Sequence, residues 1–403
     1  MNYYPYRRIL FARFSGLIGP VPLDVEATFR LASNLATVQL LGFVMTAAIL
    51  LEIGIQPYIS VLLDSHSRKE IQFLNLMIFS SAMMVCGILT SLLGTGKYWY
   101  SVAFIAVDLY YFVSYQAYAA LAQELVPGKI AGSYNGFAEI VGQSPVFVGG
   151  ILSAVLWNFV GFGGIMLLCA AVTILGTLPL KSLPARNVGT GLSKKRPRKP
   201  GHYMSGKFRS ILYIFLLNAP YVAVVSGNYL KPIFIAQVLS GSPGTLGLSE
   251  SVYAGMAALT GILAPVMIQR VGEFSSAMIF SAIYAAASLL MPLLPFIWIF
   301  FMLQALHGTG NPGNRISRNT IVMKNVPKEE IGRFNGSVNL LTMLSRVLIL
   351  AAYIITLNTA GVRVLMEVTA IGVCLAMLVA GIIKRGDPLG EFFASRNAAG
   401  SDQ

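Results

Sequence analysis

The sequence predicts an all-α integral membrane protein: twelve transmembrane helices arranged as two duplicated six-helix bundles. Three observations predict it. Of 403 residues, 56% are hydrophobic and only 11% are charged, and the mean hydropathy is +0.70. A soluble domain carries about 25% charged residues because water must cover its surface, so lipid is the solvent that suits this chain. Apolar runs such as 71–93 and 364–383 have the length a helix needs to cross a bilayer, about 20 residues. Finally, Val126-Pro127 … Gly132-Ser133-Tyr134-Asn135-Gly136 recurs 200 residues later as Val326-Pro327 … Gly332-Arg333-Phe334-Asn335-Gly336. Hydrocarbon offers backbone N–H and C=O groups no partner, which leaves helices and closed barrels, and strand-like alternation is absent.

The elements follow from apolar runs read against breakers. In the first half they are 10–31, 36–62, 71–94, 99–124, 131–157 and 161–180. Arg7 and Arg8 precede the first run, which lacks a small-residue cleavage site and continues to Leu31, so it reads as a span that anchors itself. The stretch 181–208, with Lys194-Lys195-Arg196-Pro197-Arg198-Lys199-Pro200, reads as a basic cytoplasmic linker; a solvated loop and a lipid-headgroup or partner site are its two readings. The second-half spans are 210–238, 247–268, 275–294, 297–323, 333–357 and 362–383. The halves are therefore 1–180 and 209–386, followed by a cytoplasmic tail, 387–403. Each copy of the repeated phrase leads into the fifth span of its half, the position expected of a duplicated bundle.

The net charge of +13 could suit nucleic acid, but its placement suits a membrane. With the N-terminus inside, 21 of 29 Lys and Arg fall in inside segments and only Lys97 and Arg363 in outside loops. Cytoplasmic loops are the ones enriched in Lys and Arg, so both termini are expected in the cytoplasm and the chain in a bacterial inner membrane. Cys86, Cys169 and Cys374 lie in separate runs without metal-ligand spacing. No nucleophile with its base, metal cluster or nucleotide loop is visible, so neither an enzyme nor a cofactor is expected. The expected partners are the bilayer and a small molecule, not nucleic acid, and the chain is expected to be a monomer.

The loop after span two reads Ser60-Val61-Leu62-Leu63-Asp64-Ser65-His66-Ser67-Arg68-Lys69. It resembles the signature G-x-x-x-D-[RK]-x-G-[RK]-[RK] of the major facilitator superfamily. Asp64, Arg68 and Lys69 match; Ser60 and Ser67 replace glycines and Ser65 a base. Gly142-Gln143-Ser144-Pro145 … Gly149-Gly150 is similar to the span-five motif of drug–proton antiporters. The short loops and the phrase at 332–335 resemble the macrolide-efflux and siderophore-exporter branch. The resemblance implies alternating access driven by a proton gradient. Asp64 at a helix C-terminus opposes the macrodipole and needs a partner, so Asp64, Arg68 and Lys69 read as a conformational latch, with a solvated turn as the alternative.

Ionisable residues at membrane depth are costly and face cavities, which makes them the functional candidates. Glu52, Asp108 and Glu139 come from the first half and Lys231, His307, Arg315 and Arg346 from the second. At about 1.5 Å per residue, Glu52, Asp108, Glu139 and Arg346 lie near the midplane, whereas Arg13 and Arg318 can snorkel to the edge. Two readings fit: acids and bases pair across the halves, or the acids exchange protons while the bases hold an anionic or zwitterionic cargo. The second makes Glu139, Asp108 and Glu52 the proton-coupling candidates. In span ten, His307-Gly308-Thr309-Gly310-Asn311-Pro312-Gly313-Asn314-Arg315 is expected to bend at a cavity and offer Asn311, Asn314 and Arg315 to a ligand; close helix packing is the other explanation of its glycines. Tyr111, Tyr115 and Tyr118 share a face of span four, as a cavity wall or as ordinary packing.

These readings converge on proton-coupled export of a small organic molecule, either a siderophore-like anion or a drug-like amphiphile. Uptake by proton symport uses the same architecture. A membrane receptor or scaffold without transport is the alternative of another class.

Overall fold

The structure, a computed structural model, describes residues 4–34, 36–125, 131–183, 207–326 and 330–390; the side chains at 4–6, 60, 64–65, 123–124, 131–137, 139 and 331–333 fall outside the described set. Among the described residues the regular structure is helical, without a strand. The first half holds α1 (Tyr4–Ile18), α2 (Pro20–Ala32), α3 (Val38–Ser65), α4 (Arg68–Leu93), α5 (Lys97–Leu125), α6 (Ala131–Leu156), α7 (Phe162–Leu175) and α8 (Thr177–Lys181). The second holds α9 (Phe208–Leu217), α10 (Ala219–Gln237), α11 (Pro243–Val271), α12 (Glu273–Leu293), α13 (Ile297–Asn325) and α14 (Ile331–Lys384). Gly361, with φ 78°, breaks α14 in two and turns one span into the next.

Among the described residues, twelve helical segments can be traced if α1–α2, α7–α8 and α9–α10 each count as one and α14 as two. Pro20 and Pro22 interrupt the first, since proline has no N–H to give the preceding turn. A bend of 48° separates α9 from α10. By length and composition alone, six described helical segments can cross a membrane, or seven with that bent pair. The broken first span, α5 and α13 are outside that set, and they carry Asp24, Glu26, Asp108, Arg315 and Arg318. Their polar residues offset their hydropathy and mark them as the helices with an interior role.

The chain forms two compact units. One comprises Met1–Leu192 with Tyr229–Ala258, the other Ser193–Asn228 with Leu259–Gln403. The core of the first gathers Leu23, Leu76, Met83, Tyr110, Tyr118 and Met166; that of the second gathers Ile214, Leu217, Tyr284, Ile321, Phe334 and Val373.

Small residues set the helix spacing. On α6, a side chain at Gly149 would meet Val21 of α2, and one at Gly150 would meet the Gly247 carbonyl of α11. The glycine pair in the span-five motif therefore permits backbone contact on both sides of α6. The bend expected in span ten does not occur: α13 runs unbroken through Pro312. A Cβ at Gly310 would lie 2.7 Å from the Phe280 carbonyl oxygen, and one at Gly313 would strike the Phe280 ring. The glycines are there for close packing of α13 on α12, not for a break.

Candidate functional site

The first unit holds a charged group at the junction of α2, α5, α10 and α11. Lys231, only 8% exposed, contacts Glu250 at 2.5 Å. Asp24 on α2 feels the charges of Asp108, Glu250 and Lys231, and Tyr111 that of Asp24. Glu250 was missed in the sequence because it stands near the start of span eight, where a charge reads as a loop residue. Its signal was the need of a buried Lys231 for a counter-charge within the adjoining helix. The expected division into first-half acids and second-half bases is thus corrected, since Lys231 is neutralised within its own half. Arg30 and Glu26 pair likewise, one helical turn apart at 2.7 Å. Among the described residues, no group of three His, Cys, Asp or Glu could hold a metal ion.

Asp108 and Glu52 are half-buried on α5 and α3. One turn from Glu52, Gln56 exchanges amide hydrogen bonds with Gln116 of α5 at 3.2 and 3.3 Å. Glu139 lies on α6, but its side chain falls outside the described residues. Arg13 donates to Ala138 O at 3.1 Å and lies 5.8 Å from the Tyr115 ring centre.

The tyrosines of span four brace the broken first span. Pro20 has no N–H for the Gly16 carbonyl, and the Tyr110 hydroxyl donates to that oxygen at 2.6 Å instead. Tyr118 donates to Ala12 O at 2.8 Å and Tyr111 to Leu17 O at 3.3 Å. Tyr115 alone of this group is exposed.

Of the latch residues, Asp64 has an undescribed side chain. Arg68 donates to Ala120 O at 2.9 Å, and Lys69 to Lys181 O at 2.7 Å and Leu183 O at 2.5 Å. Both cations therefore sit on carbonyls at or near the ends of α5 and α8, where the macrodipole favours positive charge.

The second unit contains a cavity of about 550 Å³. Arg315 and Arg318 of α13 form one wall, Asn218 and Tyr221 at the α9–α10 joint another, and Asn335 and Asn339 of α14 a third. Asn335 and Gly336 belong to the duplicated phrase, which gives that repeat a place in a cavity wall. Asn218 donates Nδ2 to Thr342 Oγ1 at 2.9 Å, and Thr342 donates onward to Val338 O. Arg346 stands behind the wall, 4.1 Å from the Tyr221 ring centre, and donates to Tyr221 O at 2.7 Å. The cavity runs from Asn335, near the start of α14, to Arg315, about 15 Å from the end of α13. A second, mostly apolar cavity of about 560 Å³ is lined by Val222, Leu348, Ile349 and Tyr353.

Three second-half candidates lie elsewhere. Asn314 is fully buried against α12, donating to Ser281 Oγ at 2.8 Å. Asn311, also buried, is outside the cavity wall. With α13 unbroken, neither lines the cavity that Arg315 faces. His307 contacts Ser288 Oγ at 2.9 Å and lies against the Tyr284 ring.

Comparison with known proteins bears on this arrangement. The profile of a family described as Major Facilitator Superfamily matches residues 9–350 and 222–398. No curated protein sequence matches the chain. A crystal structure of a bacterial homologue of the iron transporter ferroportin, inward-facing, superposes with TM-score 0.68 at 18% identity, covering 95% of this chain and 99% of that one. A bacterial metal transporter gives 0.66 at 15% identity, with the same coverage. A mutant of the nucleoside transporter NupG gives 0.69 at 12% identity, covering 94% and 99%. Likeness at these identities is one of fold.

Proposed function

This chain belongs to the major facilitator superfamily and is a multi-pass membrane transporter, not an enzyme; from that premise we propose that it exports a small organic anion in exchange for protons. The observation that carries the reading is the cavity of the second unit, where Arg315 and Arg318 stand among amides and no described lining residue is acidic. A cation at bilayer depth is stabilised by a counter-charge, and a cargo carboxylate supplies one. Alternating access of a duplicated bundle would carry the anion across. Asp108, Glu52 and Glu139 are the carboxyls that would load and release the coupling proton. The Lys and Arg distribution supports an inner-membrane orientation with both termini in the cytoplasm.

The test is flux. Inside-out vesicles containing the protein should accumulate labelled organic anions when their lumen is acidified, and Glu139→Gln or Asp108→Asn should abolish the proton-driven component. Flux unchanged in both variants would remove their coupling role. Uptake driven by the opposite gradient would make the protein a symporter, and binding without flux a receptor. Preference for a neutral or cationic amphiphile would move the cargo to the apolar cavity.

A further inference from the structure

The mostly apolar cavity of the second unit is left unused by the proposed function. Its walls are α9 and α10 on one side and the two arms of α14, before and after Gly361, on the other. Small residues make the room: Ala219, Ala223, Ala352, Gly372 and Ala376 all line it. A side chain at Gly372 would meet nothing within 4 Å, so the space there is open. Two further lining residues, Leu348 and Val368, are 70% and 51% exposed. Val368 continues an exposed apolar stripe, Val364, Ile371, Leu375, Leu378 and Ile382, at helical spacing. Such a stripe suits lipid, so the mouth of the cavity opens sideways to hydrocarbon. Ser226 lies about 16 Å along α10 from its end at Gln237, and Thr369 about 12 Å from the turn at Gly361. In a core about 30 Å thick, the cavity therefore sits at mid-depth.

One polar group in the lining lacks a partner. Serines elsewhere in this unit donate to the carbonyl one turn back, as Ser281, Ser288 and Ser317 do. Ser226, only 1% exposed, has no hydrogen-bond partner for its Oγ among the described residues. The lining hydroxyls of Tyr353 and Thr369, by contrast, pair with each other at 2.6 Å. An unpaired hydroxyl in hydrocarbon is costly, and a ligand group that pairs with it offsets that cost. A phospholipid tail brings only hydrocarbon to this depth, so it would fill the space without answering Ser226.

We propose that this cavity binds a small neutral molecule drawn from the bilayer, mostly apolar and carrying one hydroxyl or carbonyl that pairs with Ser226. Its volume of about 560 Å³ and its apolar wall with a single unanswered polar group are what such ligands require. The site shares no lining residue with the arginine-lined cavity and stands whether or not the protein exports anions.

The experiment uses the full chain in lipid nanodiscs and an octanol carrying a diazirine, whose light-driven crosslink is mapped by mass spectrometry. Label should fall on 215–226, 345–353 and 368–376, and excess decanol should remove it. At equal concentration in the membrane, decane, which lacks the hydroxyl, and decanoate, which carries a charge, should compete less well. Ser226→Ala should weaken decanol roughly three- to tenfold, the worth of one hydrogen bond, and bring it level with decane. Gly372→Phe should fill the open space and abolish the label. Where that variant fails to fold, Gly372→Leu fills less of the space and should still lower the label. Decane competing as well as decanol in the unaltered chain would make the cavity a seat for lipid tails and overturn the inference. Label spread evenly along the exposed stripe of α14, or unmoved by these variants, would overturn it too.

Discussion

Lys231 of the first unit and the cavity arginines of the second stand in different surroundings. In the first, Lys231 is closed onto Glu250, Arg30 onto Glu26, and Arg68 and Lys69 onto helix-end carbonyls. In the second, Arg315 and Arg318 share a cavity wall with amides, and Arg346 is held by a ring and a carbonyl. Locally neutralised charges stabilise a fold, whereas charges gathered in a cavity cost stability until something binds them. The contrast teaches where cargo chemistry is to be sought: beside the cations that line a cavity.

That contrast can be broken at its strongest point first. Glu250→Gln leaves Lys231 buried beside a neutral amide and should cost about 3–5 kcal/mol, read as a large loss of thermal stability in detergent. Adding Lys231→Met should recover most of it. A stable single variant would mean that Lys231 relies on Asp24 or Asp108 instead. Tyr110→Phe is next. It leaves the Gly16 carbonyl without a donor where Pro20 has already removed one, and should cost about 1–3 kcal/mol in the same assay. The smallest effect has the opposite sign. Arg318→Gln relieves repulsion from Arg315 and should leave stability unchanged or raise it by up to about 1 kcal/mol, while anion binding falls. A marked destabilisation by this variant would make Arg318 a structural residue and erase the difference between the units.

Much of the fold was legible. The positions of the spans follow from apolar runs and breakers, since a bilayer imposes length and internal hydrogen bonding on every crossing segment. The candidate site was legible only in fragments. Arg315 and Arg346 stood out as charges in apolar runs, but Arg318 looked able to snorkel and Glu250 looked like a loop residue. Gly308, Gly310 and Gly313 suggested a break where α12 in fact receives α13 closely. For the tyrosines, the sequence left a cavity wall and ordinary packing open, and three of them brace span one.

By itself, the sequence determined the all-α class, the family and the repeated phrase, because hydropathy and repeats are properties of the chain read along its length. Which side chains face one another was decided only in three dimensions. Lys231 meets Glu250 across a helix hairpin, and Tyr110 meets Gly16 from 94 positions away in the chain. Arg315 and Arg318 line one cavity with Asn335 of the next helix. Helical period and packing rotation, accumulated over many turns, fix such pairings, and a depth count of about 1.5 Å per residue gives a height in the membrane but not a direction around the helix.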